Sequence, residues 1–390
     1  MSVLPSRWPV VAAYASVAAA TQLLWLNYAG VSTAAAEHYG VSETAIGWLA
    51  QVFPLLYVVL AVPAGLVLDR WFRAGLAAGA ALTAAGAVLR LVGDDFAWAL
   101  AGQTLIAVAQ PLVLNAIIGV TGRYLAEPDR PAGIAVGTAS TFAGMVLAFV
   151  LAAVFPGAGD LTVVTAIGAA FAIAAAAVLI MALRRPSLYP HATPPAGFGA
   201  LRLAWGDGFV RRLCLLVFLP FGTFIALTTF AQPLLEPAGV SGSTASVLLL
   251  VNVVAGVAGC AIVPVFAVRR RRELTMLVVG VTVAAAGCVV LAAAPGTISG
   301  LTVLLLIGFL LLPTLPIVLE LTERRTGEVQ GTAAGLIWLS GNLGGLVIAT
   351  VVGLLVDHPA VGFLVMAAVA LTAAPLVRLL RPYVTESVTS

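Results

Sequence analysis

The chain has 390 residues, of which 62% are hydrophobic and 9% are charged, with a formal net charge of +3. Its mean hydropathy of +1.11 excludes an ordinary soluble domain, because a chain of this length could not bury so much apolar surface away from water. The basic residues are arginines in short clusters between apolar runs, which indicates membrane topology and argues against a nucleic-acid partner. A disulfide framework is also excluded, because all three cysteines fall inside apolar runs, at Cys214, Cys260 and Cys288.

Twelve apolar runs follow one another along the chain, each on the order of 20 residues or more and so long enough to cross a bilayer as a helix. They lie at 9–35, 44–68, 74–93, 96–124, 131–155, 161–183, 213–235, 243–267, 274–293, 298–321, 330–356 and 359–377. The first run is too long for the apolar core of a signal peptide, so we expect it to be a retained span. The pattern predicts an all-α membrane protein with twelve transmembrane helices.

The charged residues of the loops orient these spans. If the N-terminus is cytoplasmic, the loops on its side hold most of the arginines, which include Arg70, Arg73, Arg123, Arg130, Arg269 to Arg272, Arg324 and Arg325. The opposite loops hold mostly acids and histidines, namely Glu37, His38, Glu43, Asp94, Asp95, Asp160, Glu236, Asp357 and His358. The positive-inside rule then predicts a multi-pass protein of the plasma (inner) membrane with both termini in the cytoplasm.

A longer polar segment divides the spans into two sets of six. The predicted regions are an N-terminal half at 1–183, a cytoplasmic linker at 184–212, a C-terminal half at 213–377 and a cytoplasmic tail at 378–390. The fifth and eleventh spans open with glycines in register, Gly133 and Gly137 with Gly331 and Gly335. This arrangement resembles the 6+6 repeat of major facilitator transporters, in which a central cavity lies between two pseudo-symmetric halves. The same glycine spacing also serves close helix packing, which does not compete with that interpretation.

The loop between the second and third spans, GLVLDRWFR (65–73), carries a more specific motif. Gly65, Asp69, Arg70 and Arg73 stand as in the GxxxD(R/K)xxRR loop motif of the major facilitator superfamily, which the segment resembles. The glycine would let two helices approach at the cytoplasmic end. The acid and the bases would hold the two halves in one state as a cytoplasmic gate. The alternative interpretation is a charged turn that matches by chance.

Polar side chains inside the apolar runs are candidates for substrate binding, because a membrane tolerates them where they line a cavity or find partners. The candidates are Trp25, Asn27 and Tyr28 in the first span, Gln103, Gln110 and Asn115 in the fourth, Thr228, Thr229 and Gln232 in the seventh, Asn252 in the eighth and Asn342 in the eleventh. Trp25 lies well inside its run, so we expect it to face a cavity, with an interface anchor as the alternative. Gln110 could instead satisfy a carbonyl freed by Pro111, and Asn342 could join two helices.

The placement of titratable residues bears on how transport is driven. Asp, Glu, Lys and His are missing from the middle of every run, and Arg90 lies toward the outer end of the third span. Proton-coupled carriers generally need a titratable side chain in the pathway, so the sequence favours facilitated diffusion. Proton coupling stays open, because Glu320 and Glu323 near the cytoplasmic end of the tenth span could titrate if buried. A cationic substrate could be held by aromatic faces and amide oxygens without a carboxylate.

Several stretches resemble the family of the feline leukaemia virus subgroup C receptor, a major facilitator branch of choline and ethanolamine transporters that are also described as haem exporters. The similar stretches are 24–69, GAVLRLVG (86–93), Gly102–Gln103, AQPLVL (109–114), PIVLELTE (316–323) and GTAAGL (331–336). They touch both halves of the chain. The resemblance implies a twelve-helix transporter that moves a small cationic or zwitterionic solute, such as choline, by alternating access.

The resemblance also implies individual site residues. The family's choline-binding aromatic and glutamine of the first half map to Trp25 and Gln110, and a glutamine of its eleventh helix maps to Asn342. These residues would surround the substrate together with the other polar candidates of the first, fourth and seventh spans.

Four positions depart from the family pattern. A tyrosine of the seventh helix maps to Ile225, so Phe224 or Phe221 would have to supply that face of the aromatic cage. The family's Asn–Gln pair in the fifth helix is replaced by Thr141–Phe142, and an acid after the first outer loop becomes Gly47. Haem is not expected as a substrate, because the three histidines are predicted in loops, at His38, His191 and His358.

Other classes of function lack their characteristic patterns in this sequence. A membrane enzyme would need an HExxH motif, paired acids or a nucleophile with its base, and a channel would show a filter-like loop or rings of like charge. A non-transporting sensor is a remote alternative. A proton-driven drug exporter is the closest one, although the fifth span lacks the proline of the GxxxGPxxGG pattern of many exporters. We therefore expect a monomeric, non-enzymatic transporter of a small molecule, without cofactor, metal or nucleic acid.

Overall fold

The computed structural model describes residues 6–189, 198–325 and 329–380, and these residues form α-helices joined by short turns. Contacts within the backbone group them into two compact units. Unit 1 comprises Met1–Arg202 and Thr326–Gly335, and unit 2 comprises Leu203–Arg325 and Leu336–Ser390. The change of unit at residue 202 falls inside the predicted linker 184–212, while the predicted boundaries at 183, 213 and 377 stay predictions. His191 and the tail from 381 lie outside the described residues.

Unit 1 contains the first seven helices. They are α1 (Trp8–Leu26), α2 (Ser32–Tyr39), α3 (Glu43–Leu89), α4 (Phe96–Leu114), α5 (Ile117–Tyr124), α6 (Arg130–Val154) and α7 (Leu161–Leu183). Its core is built where α1, α3, α4 and α7 meet, around Leu24, Phe53, Ile106 and Ala172. Small residues bring the helix backbones together, as membrane helix packing requires. At Gly144 of α6, an added Cβ would lie 2.1 Å from the carbonyl oxygen of Ala19 in α1.

The remaining helices lie wholly or partly in unit 2. They are α8 (Phe198–Gly206), α9 (Gly208–Leu235), α10 (Gly242–Arg269), α11 (Glu273–Ala293), α12 (Thr297–Leu311), α13 (Thr314–Glu323), α14 (Gln330–Gly353) and α15 (Pro359–Arg378). The short helix α8 is divided between the units, with residues 198–202 in unit 1 and 203–206 in unit 2. Helix α14 contributes its first residues to unit 1 and the rest to unit 2.

The described residues include eleven helices, or runs of helix, that are long and apolar enough to cross a membrane. One of them, Ala45–Leu89, has 45 residues and spans about 68 Å at 1.5 Å per residue, more than twice the bilayer core. Its backbone leaves the helical conformation at Trp71 (φ −130°, ψ 53°), between the predicted spans 44–68 and 74–93. This helix therefore supplies two crossings, and the predicted twelve-span fold is confirmed.

The fourth and tenth spans are each interrupted near a proline. In the fourth, α4 ends at Leu114 and α5 begins at Ile117, shortly after Pro111. In the tenth, α12 ends at Leu311 and α13 begins at Thr314, next to Pro313. Proline removes a helix hydrogen bond and clashes with the preceding turn, so the two equivalent spans of the predicted repeat share a local break.

The first span is shorter than the apolar run 9–35 predicts. Helix α1 ends at Leu26, and a turn leads into the separate eight-residue helix α2. The run looks continuous because α2 contains three successive alanines, which continue the apolar stretch without continuing the helix. Trp25, Asn27 and Tyr28 therefore lie at the end of α1 and not at the middle of a span. This position determines which helices these three candidate site residues contact.

Candidate functional site

The indole of Trp25 is held at the end of α1 by one directed contact. Its Nε1 donates a hydrogen bond of 2.9 Å to the carbonyl oxygen of Ala50 in α3. Its ring lies 6.1 Å from that of Phe53, tilted by 33°, and packs against the unit 1 core. The side chain is only half-buried. The structure therefore fixes the ring orientation while leaving part of its surface accessible.

Asn27 and Tyr28 belong to a different cluster, centred on Arg90. Arg90 follows the last residue of α3 and is only 3% exposed. Its Nη1 donates to Asn27 Oδ1 and to Gln103 Oε1, both at 3.2 Å. Its Cζ lies 5.6 Å from the centre of the Tyr28 ring. Both side chains therefore contact Arg90, and their substrate-binding role stays a prediction.

Gln103 orients this cluster from α4. Its amide nitrogen donates to the carbonyl oxygens of Leu24 and Leu49, at 3.1 and 3.3 Å. With the nitrogen committed to α1 and α3, its oxygen is left to accept from Arg90. The side chain is fully buried and works as an internal brace between three helices.

Asn115 lies at the break between α4 and α5 and is also fully buried. Its Oδ1 accepts a hydrogen bond of 2.6 Å from the hydroxyl of Tyr57, and its Nδ2 donates to the carbonyl oxygen of Ala61 at 2.8 Å. Both partners lie in α3. Asn115 thus fastens the broken fourth span to α3, and its substrate-binding role stays a prediction.

Gln110 lies one turn before this break, next to Pro111, and is buried, with 4% of its surface exposed. It sits in the middle of the fourth span, since that span continues through α5. Among the polar candidates in unit 1, no hydrogen bond from the Gln110 side chain is seen within the described residues, whereas Trp25, Asn27, Tyr28 and Asn115 each contact another helix or Arg90.

The motif at 65–73 binds the start of α14 within unit 1. Asp69 accepts hydrogen bonds from the backbone nitrogens of Gly331 (2.6 Å) and Thr332 (3.0 Å) and from the Thr332 hydroxyl (2.5 Å). The first-turn N–H groups of a helix lack internal partners and carry the positive end of its dipole, so a carboxylate is favoured there. We call this arrangement the Asp69 cap.

Gly65 makes the close approach in the Asp69 cap possible. A Cβ at Gly65 would lie 2.7 Å from the Cα of Thr332 and 2.8 Å from the carbonyl oxygen of Gly331. Both contacts are with backbone atoms, which cannot yield, so any larger residue would push α14 away from α3.

The two arginines of the motif do not take part in the Asp69 cap. Arg73 donates from Nε to the carbonyl oxygen of Leu183 (2.7 Å) and from Nη2 to that of Arg184 (3.0 Å). It therefore caps the end of α7, where a cation is favoured by the helix dipole. Arg70 is exposed, with its Cζ 5.0 Å above the ring of Trp71. The acid and the bases of the motif therefore make separate contacts, and a gating role for the four residues stays a prediction.

In unit 2, the predicted aromatic residue Phe224 lies in a small apolar cluster. Its ring is 6.3 Å from that of Phe221, which in turn meets the ring of Trp338 edge-on at 6.2 Å. Thr228 returns its hydroxyl to the backbone of α9, at the carbonyl oxygens of Phe224 and Ile225. Asn342 does the same in α14, where its Nδ2 donates to the carbonyl oxygen of Trp338 at 2.8 Å.

The predicted coupling residues form a buried charged cluster in unit 2. Glu320 is 2% exposed and Glu323 is 8% exposed. Arg324 donates from Nε to Glu320 and from Nη2 to Glu273 at 2.9 Å. The second oxygen of Glu320 is buried without a hydrogen-bond partner. Burial lowers the pKa of Arg324, but the neighbouring carboxylates outweigh that effect and raise it above its usual value.

Sequence reasoning overlooked Arg90 and Glu273 as site residues. Both stand at the ends of apolar runs, where a charge looks like part of a solvated loop, yet each is 3% exposed. A signal for Arg90 existed in Gly102, whose added Cβ would meet Arg90 Cγ at 2.3 Å. A glycine and a glutamine side by side in a span indicate room for a long polar side chain from a neighbouring helix.

Comparison with known proteins gives the family and the fold. A model of the family described as Major Facilitator Superfamily matches residues 10–349. Solute carrier family 49 member A3 of Danio rerio is 25% identical over 364 residues, which cover 86% of this chain and 76% of that protein. The choline/ethanolamine transporter flvcr2b of Danio rerio is 23% identical over 381 residues, covering 90% and 78%.

A solved structure shows the same fold. The transporter FucP, in its outward conformation, superposes with a TM-score of 0.76 at 17% identity, covering 95% of this chain and 98% of that chain. At this identity the match shows the arrangement of helices and nothing about the substrate.

Proposed function

The chain belongs to the Major Facilitator Superfamily, a class of membrane transporters, and from this premise we propose that it carries a small cationic or zwitterionic solute of the choline type. The observation that carries the proposal is the indole of Trp25, half-buried and held in one orientation by its bond to Ala50. An aromatic face that is oriented in advance attracts a quaternary or primary ammonium group through its quadrupole. Relatives that cover most of the chain include a choline/ethanolamine transporter.

Gln110 in unit 1 is the second residue that we assign to this substrate. Its amide oxygen suits an alcohol or ammonium group, and the proline-linked break after it keeps the fourth span from being a uniform apolar rod. In unit 2 we retain Phe224, Thr228 and Asn342 as proposed contacts. The two polar ones already make intrahelical bonds, so each would contribute only its remaining hydrogen-bonding capacity.

Uptake of labelled choline into proteoliposomes tests the assignment of Trp25. A cation–π contact contributes about 0.5–2 kcal/mol, so Trp25→Ala should weaken apparent affinity by roughly 2- to 30-fold. Trp25→Phe keeps a ring but loses the bond to Ala50, and it should fall between the two. Trp205→Ala, which removes an exposed indole from α8, is the matched control and should leave uptake unchanged. Equal uptake by Trp25→Ala and the wild type would remove Trp25 from the site.

We propose that transport is facilitated diffusion. The proposed substrate residues, Trp25 and Gln110, carry no titratable group, and Glu320 is already paired with Arg324 in unit 2. An imposed proton gradient should therefore leave the final internal concentration equal to the external one. Accumulation that an uncoupler abolishes would contradict this mechanism.

Proton coupling is the second candidate, and one observation favours it. The buried Glu320 has a carboxylate oxygen without a hydrogen-bond partner, which is where a proton could be held. Glu320→Gln keeps the shape and removes the titratable group. Under the diffusion mechanism this variant still equilibrates choline, whereas under proton coupling it loses accumulation but keeps exchange.

We propose that the Asp69 cap serves alternating access. It holds the start of α14 to unit 1, so release of α14 requires the loss of three hydrogen bonds to one carboxylate. Asp69→Asn should weaken this hold and change the transport rate more than substrate affinity. An affinity change with an unaltered maximal rate would count against a gating role.

We also propose that the chain acts as a monomer in the plasma membrane with both termini in the cytoplasm. Cysteines introduced at the exposed Ser187 and Asp357 should be labelled from opposite sides of the membrane by an impermeant maleimide, because the native cysteines are buried. Ser187 should react from the cytoplasmic side and Asp357 from the outer side, so the reverse pattern, or labelling of both positions from one side, would overturn the orientation.

A further inference from the structure

We propose that Arg90 is the centre of an anion-binding site in unit 1, which takes a ligand with a carboxylate or phosphate group. The site uses Arg90 and Asn27, and it is separate from the Trp25 contacts that carry the proposed cation site. Its success or failure therefore does not depend on the identity of the transported solute.

Arg90 and Asn27 carry a surplus of buried hydrogen-bond donors. Within the described part of the chain, Arg90 Nε, Arg90 Nη2 and Asn27 Nδ2 are buried and have no hydrogen-bond partner. A guanidinium can only donate, so the acceptor that faces Arg90 Nη1 must be the oxygen of Asn27, and this fixes Nδ2 as the free end of the amide. The unmatched groups are all donors. A ligand that satisfies them must bring acceptors, as an oxyanion does.

The two nitrogens of Arg90 that lack a hydrogen-bond partner have the geometry of an oxyanion-binding edge. Nε and Nη2 form one edge of the guanidinium, from which two N–H groups point in parallel. This edge matches the two oxygens of a carboxylate or phosphate in a bidentate pair. The amide oxygens of Asn27 and Gln103 occupy only the third nitrogen, Nη1. The edge that recognises an oxyanion best is therefore left without a hydrogen-bond partner within the described residues, and both of its nitrogens are shielded from water.

The buried positive charge of Arg90 is not compensated by a nearby carboxylate within the described residues. Arg90 is 3% exposed, and in the part of the chain that the structure describes, no carboxylate forms an ion pair with it. Its partners are two neutral amides and the face of Tyr28. Burying a cation without a counterion is costly, and such a residue inside a membrane protein marks a functional site by default. A bound anion would remove this cost.

A cavity beside Arg90 provides space for a ligand. A cavity of about 280 Å³ is lined by Arg90, Tyr39, Asp94, Thr162 and Thr165, among others. A Cβ built at Gly168, one turn after Thr165 in α7, would lie 3.7 Å from Nη2, so this nitrogen lies beside the helix that forms one wall. The volume exceeds that of a single water, which is about 30 Å³ in the liquid, by enough to admit a small oxyanion with an organic substituent.

Asp94 is the one acid that lines the cavity, and His38 already engages it. His38 Nε2 lies 2.6 Å from Asp94 Oδ1, and His38 Nδ1 lies 3.0 Å from the carbonyl oxygen of Ala158. The Asp94 side chain is 76% exposed, so water screens its repulsion of a bound anion. Asp94 therefore does not serve as the missing counterion and does not prevent an anion from binding.

The oxyanion could come from a water-soluble solute or from the headgroup of a lipid. Leu91 and Val92 also line the cavity and are 41% and 60% exposed, so an acyl chain could pass at its mouth. Both sources share the chemistry that Arg90 recognises, and the experiment separates them.

The test measures thermal unfolding of the full chain with inorganic phosphate added at constant ionic strength, first in detergent. Phosphate should raise the Tm of the wild type by several degrees. Arg90→Lys keeps the charge but loses the two-pronged edge, so the phosphate concentration needed for half the effect should rise about tenfold or more. Arg202→Lys, at an exposed arginine of α8, is the matched control and should respond like the wild type.

The second arm uses lipid nanodiscs of phosphatidylcholine with and without phosphatidylglycerol. Stabilisation by phosphatidylglycerol but not by phosphate, again lost in Arg90→Lys, would support the site and identify a lipid headgroup as its ligand. If Arg90→Lys does not fold, Thr162→Trp provides the alternative, because it fills the exposed mouth of the cavity and leaves Arg90 unchanged. An equal response of the wild type and both variants, or no response to either anion, would overturn the proposal and leave Arg90 with water alone.

Discussion

The Asp69 cap leads to the sharpest prediction about how α14 is held. Asp69 is 7% exposed and accepts three hydrogen bonds from Gly331 and Thr332. A hydrogen bond to a charged group contributes about 1.5–3 kcal/mol. In Asp69→Asn one oxygen still accepts, but the amide NH₂ now faces the donors of Thr332. The Thr332 hydroxyl can rotate to accept from this NH₂, so the expected change is the loss of the Thr332 backbone bond and the weakening of the Gly331 bond to that of a neutral acceptor, together about 2–4 kcal/mol.

Hydrogen exchange at the first turn of α14 measures this loss directly. A free-energy change of about 1.4 kcal/mol corresponds to a tenfold change in an equilibrium constant. The amides of Gly331 and Thr332 should therefore exchange roughly 30- to 700-fold faster in Asp69→Asn than in the wild type. Asp95→Asn is the matched control, because Asp95 caps α4 by accepting from the backbone nitrogen of Trp98 at 3.0 Å. It should accelerate exchange only at the start of α4. Unchanged exchange at Gly331 and Thr332 in Asp69→Asn would refute the reasoning.

Three further predictions concern stability, each measured as the free energy of unfolding or the Tm of the purified protein. Tyr57→Phe leaves the buried Asn115 Oδ1 without its hydroxyl donor and should cost about 1–3 kcal/mol; a neutral effect would show that Asn115 does not fasten α4 to α3. Gly102→Ala sets a methyl group 2.3 Å from Arg90 Cγ and 2.5 Å from the Gly86 carbonyl oxygen, so it should cost about 1–3 kcal/mol, and an unchanged Tm would contradict that packing. Arg324→Gln leaves two buried carboxylates without a cation and should lower the free energy of unfolding by about 2–4 kcal/mol. This loss is smaller than the largest losses seen when a buried ion pair is broken, because the Arg324 side chain is one-third exposed.

The fold followed from the sequence because its determinants are local. The length of an apolar run and the polar turn that ends it decide a transmembrane helix without reference to the rest of the chain. The motif with Gly65 and Asp69 could also be predicted from the sequence, because both residues lie within one short segment at the end of a span. What the sequence could not give was the partner of Asp69, because the Thr332 donors lie more than 260 positions later.

The site was only partly predictable, and the errors have physical causes. Trp25 was expected at mid-span because apolar residues run on past it, but hydropathy does not distinguish the end of α1 from the alanines of α2. The contact of Asn27 and Tyr28 with Arg90 was not predictable, because Arg90 lies at the end of another helix. The partners of Asn115, Tyr57 and Ala61, were not predictable for the same reason, since both are in α3. Polarity inside a span shows that a partner exists but does not say whether it is a substrate or another helix.

Counterflow gives the most direct test of the proposed transport. Proteoliposomes loaded with unlabelled choline and diluted into labelled choline, with no ion gradient, should show a transient overshoot of internal label that decays to equilibrium. The overshoot should be much smaller in Trp25→Ala vesicles and intact in Trp205→Ala vesicles. Wild-type vesicles that take up label no faster than protein-free ones, or only when a proton gradient is imposed, would contradict the account.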